Sequence, residues 1–403
     1  RSGRVTGVQT CALPIYIRSN MKRFLIFLLL IVSIFFIANP KTDNAKAISY
    51  DNATKTRSVY LMETGNGNVL YSKNENERLP IASMTKIMLL NLCFEAVDGG
   101  TLGLDETITV SENASGMGGS QVFLEKGGKY LVKDLIKSVI IASANDASVA
   151  LAERLYGSEK SCVDAMNERC KEWQLKNTLF SNCTGLTKPT QYSSAKDVAY
   201  MLTKLISHKE YFEFSHIWMD EIQHSGGRKT GLTNTNKLVR FYDGCDGGKT
   251  GFTQEAGFCL AATAKRGSLR LVAVAINSPD SKTRFNEVST LFNYGFDNFT
   301  SKTVVDSSRN LDIETTVNKG VKDKVKVYPE NDVFIFSERN KKENVIIDFK
   351  PLKATAPLKK GDEVGELIVY KDNVEFARVK VLSAEDVEKQ SYFGYIANIG
   401  KNW

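Results

Sequence analysis

Residues 83–97, SMTKIMLLNLCFEAV, are apolar nearly all the way round a helix. A surface helix carries one apolar stripe, whereas a helix without a polar face must be covered on every side. The chain is therefore expected to fold around this segment. The helix should begin at about Ser83, just after Pro80, and stop at Gly99-Gly100.

The elements available to cover it lie on both sides in the sequence. SVYLME (58–63) and NVLYS (68–72) read as strands around the Gly65-Asn66-Gly67 turn. Helical patterns follow at 131–142, 146–156 and 161–174, with Asp146 placed to cap the second. GFCLAATA (257–264) and LRLVAVAIN (269–277) flank a Lys-Arg-Gly-Ser turn and read as a hairpin of two mostly apolar strands, and an amphipathic helix fits 284–297. Strands at both ends with helices between imply an α+β fold, one antiparallel sheet flanked by helices, over 48–300.

From 301 the pattern changes to short alternating strands, DKVKVYP, DVFIFS, NVIIDF, VGELIVY and VEFARVKV, which read as a small all-β domain over 301–383. In the tail, 384–403, Tyr392, Ile396, Ile399 and Trp403 fall at helical spacing beside Lys389 and Lys401. Two readings fit it, an interfacial helix on a membrane and a segment packed on the β domain.

At the other end, a basic start at Lys22 and Arg23 precedes an apolar run from Phe24 to Ala38 and an Ala45-Lys46-Ala47 site. The run falls short of the roughly 20 residues of a spanning helix. Residues 21–47 are expected to be a signal peptide cleaved after Ala47, so the protein should be exported and work outside the cytoplasm. Residues 1–20 lack periodicity and read as a scar of expression or assembly.

Of seven cysteines, six lie beyond that leader, with no Cys-x-x-Cys pair, which argues against a zinc site or redox motif; no metal or cofactor is expected. An even count in an exported chain permits disulfides, but Cys93, Cys162 and Cys170 sit in helical patterns as small apolar residues. The formal charge of +7 is spread without a dense basic block, so no nucleic-acid partner is expected.

Three short motifs carry the chemistry. Ser83 and Lys86 lie one turn apart on the same face of the central helix, so the amine can reach the hydroxyl. A serine nucleophile needs a base, and a lysine serves if burial and a second cation depress its pKa. Alone the pair reads more readily as a helix cap and a surface lysine. Ser143-Ala144-Asn145 falls at the break between two helices, where a hydroxyl can relay a proton and an amide can hold a carbonyl, or where both simply cap. Lys-Thr-Gly occurs twice. Lys229 precedes LTNTNKLV, with no strand able to join the main sheet, and reads as solvated surface. Lys249 opens a strand leading into the hairpin, so Lys249 and Thr250 can line the sheet edge, and Gly251 permits close approach of a substrate backbone.

Ser-x-x-Lys, Ser-x-Asn and Lys-Thr-Gly in this order are the signature of penicillin-binding proteins and class A β-lactamases. The surrounding wording, ERLPIASMTKIM, GGSQVFLEKG, DLIKSVIIASANDASVALAE, LKNTLFSNCTGL, NTNKLV and DGGKTGFTQEAGFCLAATA, resembles the low-molecular-mass D-alanyl-D-alanine carboxypeptidases over about 50–300. The trailing β domain matches that family's usual C-terminal domain. The resemblance implies the penicillin-binding fold and these roles: Ser83 the acylated nucleophile, Lys86 its base, Ser143 the proton relay, Asn145 the holder of the substrate amide, and Lys249 with Thr250 the carboxylate site. Backbone N–H groups of Ser83 and Phe252 would form the oxyanion hole, and Arg284 is a candidate to assist at the carboxylate. It further implies peptidoglycan stem peptides as substrates, β-lactams as covalent inhibitors, and a place in the cell wall or on the outer face of the bacterial cytoplasmic membrane. Where the family commonly reads His-Tyr-Ser-Thr-Ala this chain has QYSSA, with Gln191, a departure that bears on local packing.

A class A β-lactamase would also want a Glu-x-x-Leu-Asn motif; EWQLKN at Glu172 comes early, lies in a helix and ends in Lys176 before Asn177. DGCDGGKT misses a phosphate-binding loop by Asp243, where the first glycine belongs. A catalytically silent wall-binding scaffold is the alternative from another class, against which stand three intact motifs.

Overall fold

The computed structural model describes residues 54–392. β1 (Ser58–Glu63) and β2 (Val69–Lys73) form a hairpin, and a 3-10 turn at Ala82–Thr85 leads into α1 (Lys86–Asp98). The small pair β3 (Thr107–Thr109) and β4 (Lys129–Leu131) introduces four helices: α2 (Val132–Ile141), α3 (Asn145–Tyr156), α4 (Glu159–Glu172) and α5 (Ala195–Leu205). A second hairpin, β5 (Met219–Gln223) with β6 (Lys229–Thr233), stands outside the main sheet. Then come β7 (Cys245–Thr253), β8 (Gly257–Arg266), β9 (Leu269–Ser278) and α6 (Ser281–Asn298).

The main sheet runs β2-β1-β9-β8-β7, every pair antiparallel. Its strands look continuously apolar because both faces are buried, and alternation divides the residues between two cores. Val272, Val274 and Ile276 of β9 join the cluster that contains α1, whereas Leu271, Ala273 and Ala275 pack with Val288, Leu291 and Phe292 of α6. On α1 every residue from Lys86 to Phe94 is buried, as its uniformly apolar surface requires. Its one buried amide, Asn91, is accommodated by donating to the carbonyls of Ile87 (2.8 Å) and Met201 (3.0 Å).

Beyond α6, β10 (Phe299–Val305) pairs with β13 (Val333–Glu338). β11 (Glu314–Asn318), β12 (Lys324–Pro329), β14 (Val345–Pro351), β15 (Ala354–Thr355), β16 (Glu363–Lys371) and β17 (Val374–Ser383) form a six-stranded sheet in the order β14-β16-β17-β12-β11-β15. Its valine-rich core includes Val325, Val327, Val364, Val369 and Val381. The five strands legible in the sequence are present; the two-residue β15 was missed, as were β10 and β11, because FTSKTVV and ETTVN are too rich in Thr, Ser and Lys to show a clear apolar alternation.

Two local expectations are corrected. Asp146 does not cap α3: Ala144 holds that position, and the Asp146 carboxylate lies in the first turn, accepting the N–H groups of Val122 (3.1 Å) and Leu124 (3.0 Å). Lys249 lies in the middle of β7, which already begins at Cys245. The tail is described as far as Tyr392, and its first part lies on the β domain, where Val387 bridges to Leu358 and Lys389 to Gly320. Ile396, Ile399 and Trp403, like residues 1–20 and the segment 21–47, lie outside the described residues. Among the described residues no helix is long and apolar enough to cross a membrane.

Candidate active site

The start of α1 fixes two of the motif residues. Ser83 sits in the 3-10 turn and Lys86 is the first residue of the α-helix, so the i and i+3 side chains stack and Lys86 Nζ lies 3.0 Å from Ser83 Oγ. Ser83 is partly accessible, whereas Lys86 is fully buried. Burial pushes the Lys86 amine down to about 7, with Cys183 and Asp146 acting in the opposite direction. The expectation that a second cation helps to depress Lys86 is not met in that form. The repulsion appears on Lys249, which burial first, then Lys86 and Arg284, hold well below the usual lysine range.

Two further acceptors surround Lys86 Nζ: Asn145 Oδ1 at 2.7 Å and the Thr184 carbonyl at 2.5 Å. The orientation of the Asn145 amide is set from its other side, where Nδ2 donates to the Gly118 carbonyl at 2.7 Å. A neutral amine has two hydrogens and one lone pair. Asn145 Oδ1 and the Thr184 carbonyl can only accept, so they take both hydrogens, and the lone pair is left for the Ser83 hydroxyl. Asn145 thus holds the lysine, with one amide hydrogen remaining beyond its bond to Gly118.

Ser143 ends the connection between α2 and α3 with φ of +62°, a left-handed conformation uncommon for a residue with a side chain. Its hydroxyl is buried with no hydrogen-bond partner. No direct hydrogen bond joins it to Ser83 or Lys86.

β7 is the edge strand next to this turn. A Cβ on Gly251 would come within 2.6 Å of the Ile81 carbonyl oxygen and 3.2 Å of the Ser83 nitrogen. The close approach that requires glycine here is by the protein's own backbone at 81–83, and it sets the main chain of Gly251 beside the Ser83 N–H. Lys249 and Thr250 are buried in the same strand, with Lys249 Nζ 3.3 Å from the Thr250 carbonyl. The Phe252 side chain is 54% exposed and packs on Phe258, ring centroids 4.4 Å apart. Arg284, in the first turn of α6, donates to the carbonyls of Gly251 (3.0 Å) and Cys259 (3.2 Å), so its guanidinium braces the β7–β8 hairpin. The other Lys-Thr-Gly copy is remote from this cluster: Lys229 is exposed and paired with Glu221 across the β5–β6 hairpin. Glu172 ends α4 with its carboxylate on Arg169 at 2.5 Å.

A family model described as D-alanyl-D-alanine carboxypeptidase matches residues 44–280, more than half of the chain. The chain belongs to the D-alanyl-D-alanine carboxypeptidase family. A second model, the C-terminal domain of penicillin-binding protein 5, matches residues 299–389. D-alanyl-D-alanine carboxypeptidase DacF of Bacillus subtilis (strain 168) is 37% identical over 353 residues, 87% of this chain and 90% of that one. Among solved structures, penicillin binding protein 5 from Haemophilus influenzae aligns with a TM-score of 0.65 at 29% identity, covering 85% of this chain and all of that one. Penicillin-binding protein D2 from Listeria monocytogenes, solved in its ampicillin-bound form, aligns with a TM-score of 0.54 at 31% identity over 60% of this chain and 98% of the other. The protein is thus a serine-type D-alanyl-D-alanine carboxypeptidase, a hydrolase with the penicillin-binding fold.

Sequence reasoning missed Thr184. It acts through a backbone carbonyl, which leaves no mark on residue type, although it lies inside the block LKNTLFSNCTGL that carried the family resemblance. The one signal available was the glycine after it. Gly185 has φ of +86°, and a Cβ there would sit 2.0 Å from the Ala82 carbonyl oxygen, so this loop runs directly against the turn that carries Ser83.

Proposed function

We propose that the chain trims stem pentapeptides of peptidoglycan to tetrapeptides through a Ser83 acyl-enzyme. The observation that carries this reading is the placement of Lys86 Nζ, whose two obligatory acceptors leave its lone pair for Ser83 Oγ. Lys86 takes the hydroxyl proton as Ser83 Oγ attacks the penultimate D-Ala carbonyl. The oxyanion is held by the N–H groups of Ser83 and Phe252. The tetrahedral intermediate then collapses, the C–N bond breaks, and D-alanine leaves with the proton that Lys86 took, delivered to its amine through Ser143, so that Lys86 is neutral again. Water then attacks the ester with Lys86 again as base, and Ser83 is regenerated.

Lys249 and Thr250 bind the terminal carboxylate, with Arg284 supporting them through the Gly251 carbonyl. Burial, Lys86 and Arg284 disfavour the charged form of Lys249 and an arriving carboxylate favours it, which ties recognition of a free C-terminus to the assembly of the site. Asn145 offers its remaining amide hydrogen to the substrate amide. The same acylation makes β-lactams covalent inhibitors.

Export after cleavage at Ala47, action in the wall or at the outer face of the membrane, and contact of the C-terminal tail with that membrane belong to this reading. So does the division at about residue 300, which the two family models flank by ending at 280 and beginning at 299.

The test is release of D-alanine from a short peptide ending D-Ala-D-Ala by purified residues 48–403, with penicillin mass appearing on the Ser83 peptide alone. Labelling that survives Ser83→Ala sinks the assignment.

A further inference from the structure

The buried amide of Gln191 is hydrogen-bonded through both its oxygen and its nitrogen. Its Oε1 accepts the N–H groups of Ser181 (2.9 Å) and Asn182 (3.1 Å), and its Nε2 donates to Asn182 Oδ1 (3.3 Å). Asn182 Oδ1 in turn accepts the Gly185 N–H (2.7 Å), while its Nδ2 donates to the Leu186 carbonyl (2.7 Å). The two amides therefore staple both ends of the 181–186 loop. Between the staples lies Thr184, whose carbonyl takes a hydrogen of Lys86 Nζ. Gln191, Asn182 and Thr184 are all buried, so none of these bonds is exchanged for water at low cost.

We propose that Gln191 is a positioning residue for the general base: through Asn182 it fixes the Thr184 carbonyl as the second hydrogen acceptor of Lys86, and thereby aims the lysine's lone pair at Ser83. This rests on the reading of Lys86 as base. The departure at Gln191 is then part of the catalytic architecture rather than of packing alone.

A positioning role and a merely structural one give different results. A structural role lowers stability and the fraction of protein that can be acylated, but leaves the rate of the folded fraction alone. A positioning role changes that rate and its pH dependence. Loss of the Thr184 acceptor frees a hydrogen of the amine and lets the lone pair wander, so the rate falls. It also removes a charge-assisted bond from the ammonium, so the neutral form is reached at lower pH. The groups facing Lys86 in that titration are Asp146 of α3, Cys183 of the loop itself and Lys249 of β7, and the substitution leaves all three in place.

The experiment measures the acylation rate by benzylpenicillin from about pH 5 to about pH 10. The proteins are the parent, Gln191→Met, which keeps shape without hydrogen bonds, Gln191→His, which restores one acceptor and one donor, and Lys86→Met. Each rate is referred to folded, stoichiometrically labelled protein. We expect Gln191→Met to lose about ten- to a hundred-fold at the high-pH plateau, with its rising limb moved to lower pH, and Gln191→His to recover at least about threefold of that loss. A Gln191→Met plateau within about twofold of the parent with the limb in place overturns the proposal, as does an equal loss in both variants with no movement of the limb. Should Gln191→Met not fold, Gln191→Ser takes its place, since its short side chain cannot span the bonds to Ser181 and Asn182, and a parental limb and plateau in that variant overturn the proposal. Lys86→Met separates the two levels of argument: if it acylates normally, the reading of the base has failed, whereas if it is inert and Gln191→Met is normal, only the positioning role has.

Discussion

At the scale of single residues, the site is organised by which groups can give a hydrogen and which can only accept one. Lys86 is buried with its pKa lowered to about 7, so its neutral form dominates above that value. The rising limb of kcat/KM should therefore fall near neutrality instead of in the region of about 10 where a free lysine titrates. Lys86→Arg, which stays protonated, should be nearly inactive. The same shift has a sign in stability. Between the folded and unfolded values the unfolded chain binds the extra proton, so the Lys86 contribution rises as pH rises through that window. The difference in unfolding free energy between the parent and Lys86→Met should grow from about pH 7 upward, as followed by denaturant titration at several pH values. The doubled Lys-Thr-Gly gives a second contrast. Lys249→Ala should lower kcat/KM for D-alanine release by roughly 30-fold to several thousand-fold, the cost of about 2–5 kcal/mol for a desolvated charge contact. Lys229→Ala, which loses only an exposed pair with Glu221, should leave the rate alone and change stability by no more than about 0.5 kcal/mol.

At the scale of elements, strand β7 and helix α1 meet where their backbones nearly touch, and a glycine makes that meeting feasible. Gly251→Ala should force the strand away from the Ser83 turn, because its Cβ would lie 2.6 Å from the Ile81 carbonyl oxygen, closer than heavy atoms tolerate. The expected outcome is at least about tenfold slower acylation by penicillin, larger than any accompanying loss in the far-ultraviolet circular dichroism signal. This scale also shows what a sequence discloses. The apolar α1, the β8–β9 hairpin and the reach from Lys86 to Ser83 were all legible, since each follows from periodicity or from the rise of a helix. Asp146 was misread as a cap because its residue type suits that position, whereas the left-handed turn at Ser143 lets the chain enter α3 at Ala144 and frees the carboxylate for Val122 and Leu124. The hold of the Thr184 carbonyl on Lys86 could not be read, because any residue type supplies a carbonyl.

At the scale of the whole molecule, the main-sheet region and the β region are joined by more than a covalent link. Phe299 stacks on Phe336 with centroids 5.2 Å apart, and Arg339 of the β region donates to the carbonyls of Phe296 (2.5 Å) and Asp297 (3.2 Å) at the end of α6. A fragment ending at Asn298 should still be acylated at Ser83, since every proposed site residue precedes that point. It should also unfold at lower temperature, by about 2–4 °C for each kcal/mol lost at that junction, the scale for a domain of about 250 residues; a folded fragment that penicillin does not label would show that the β region helps to build the site. α6 itself spans the distance. Its first turn carries Arg284, bonded to the Gly251 carbonyl, and its last turn is gripped by Arg339. The 13 residue steps from Arg284 to Asp297 cover about 20 Å at the usual helical rise, so a tilt of about 3° at the gripped end displaces the guanidinium by roughly 1 Å. With the gripped end as its pivot the helix is in that sense a lever arm, and its other end carries the guanidinium that braces the hairpin of Lys249.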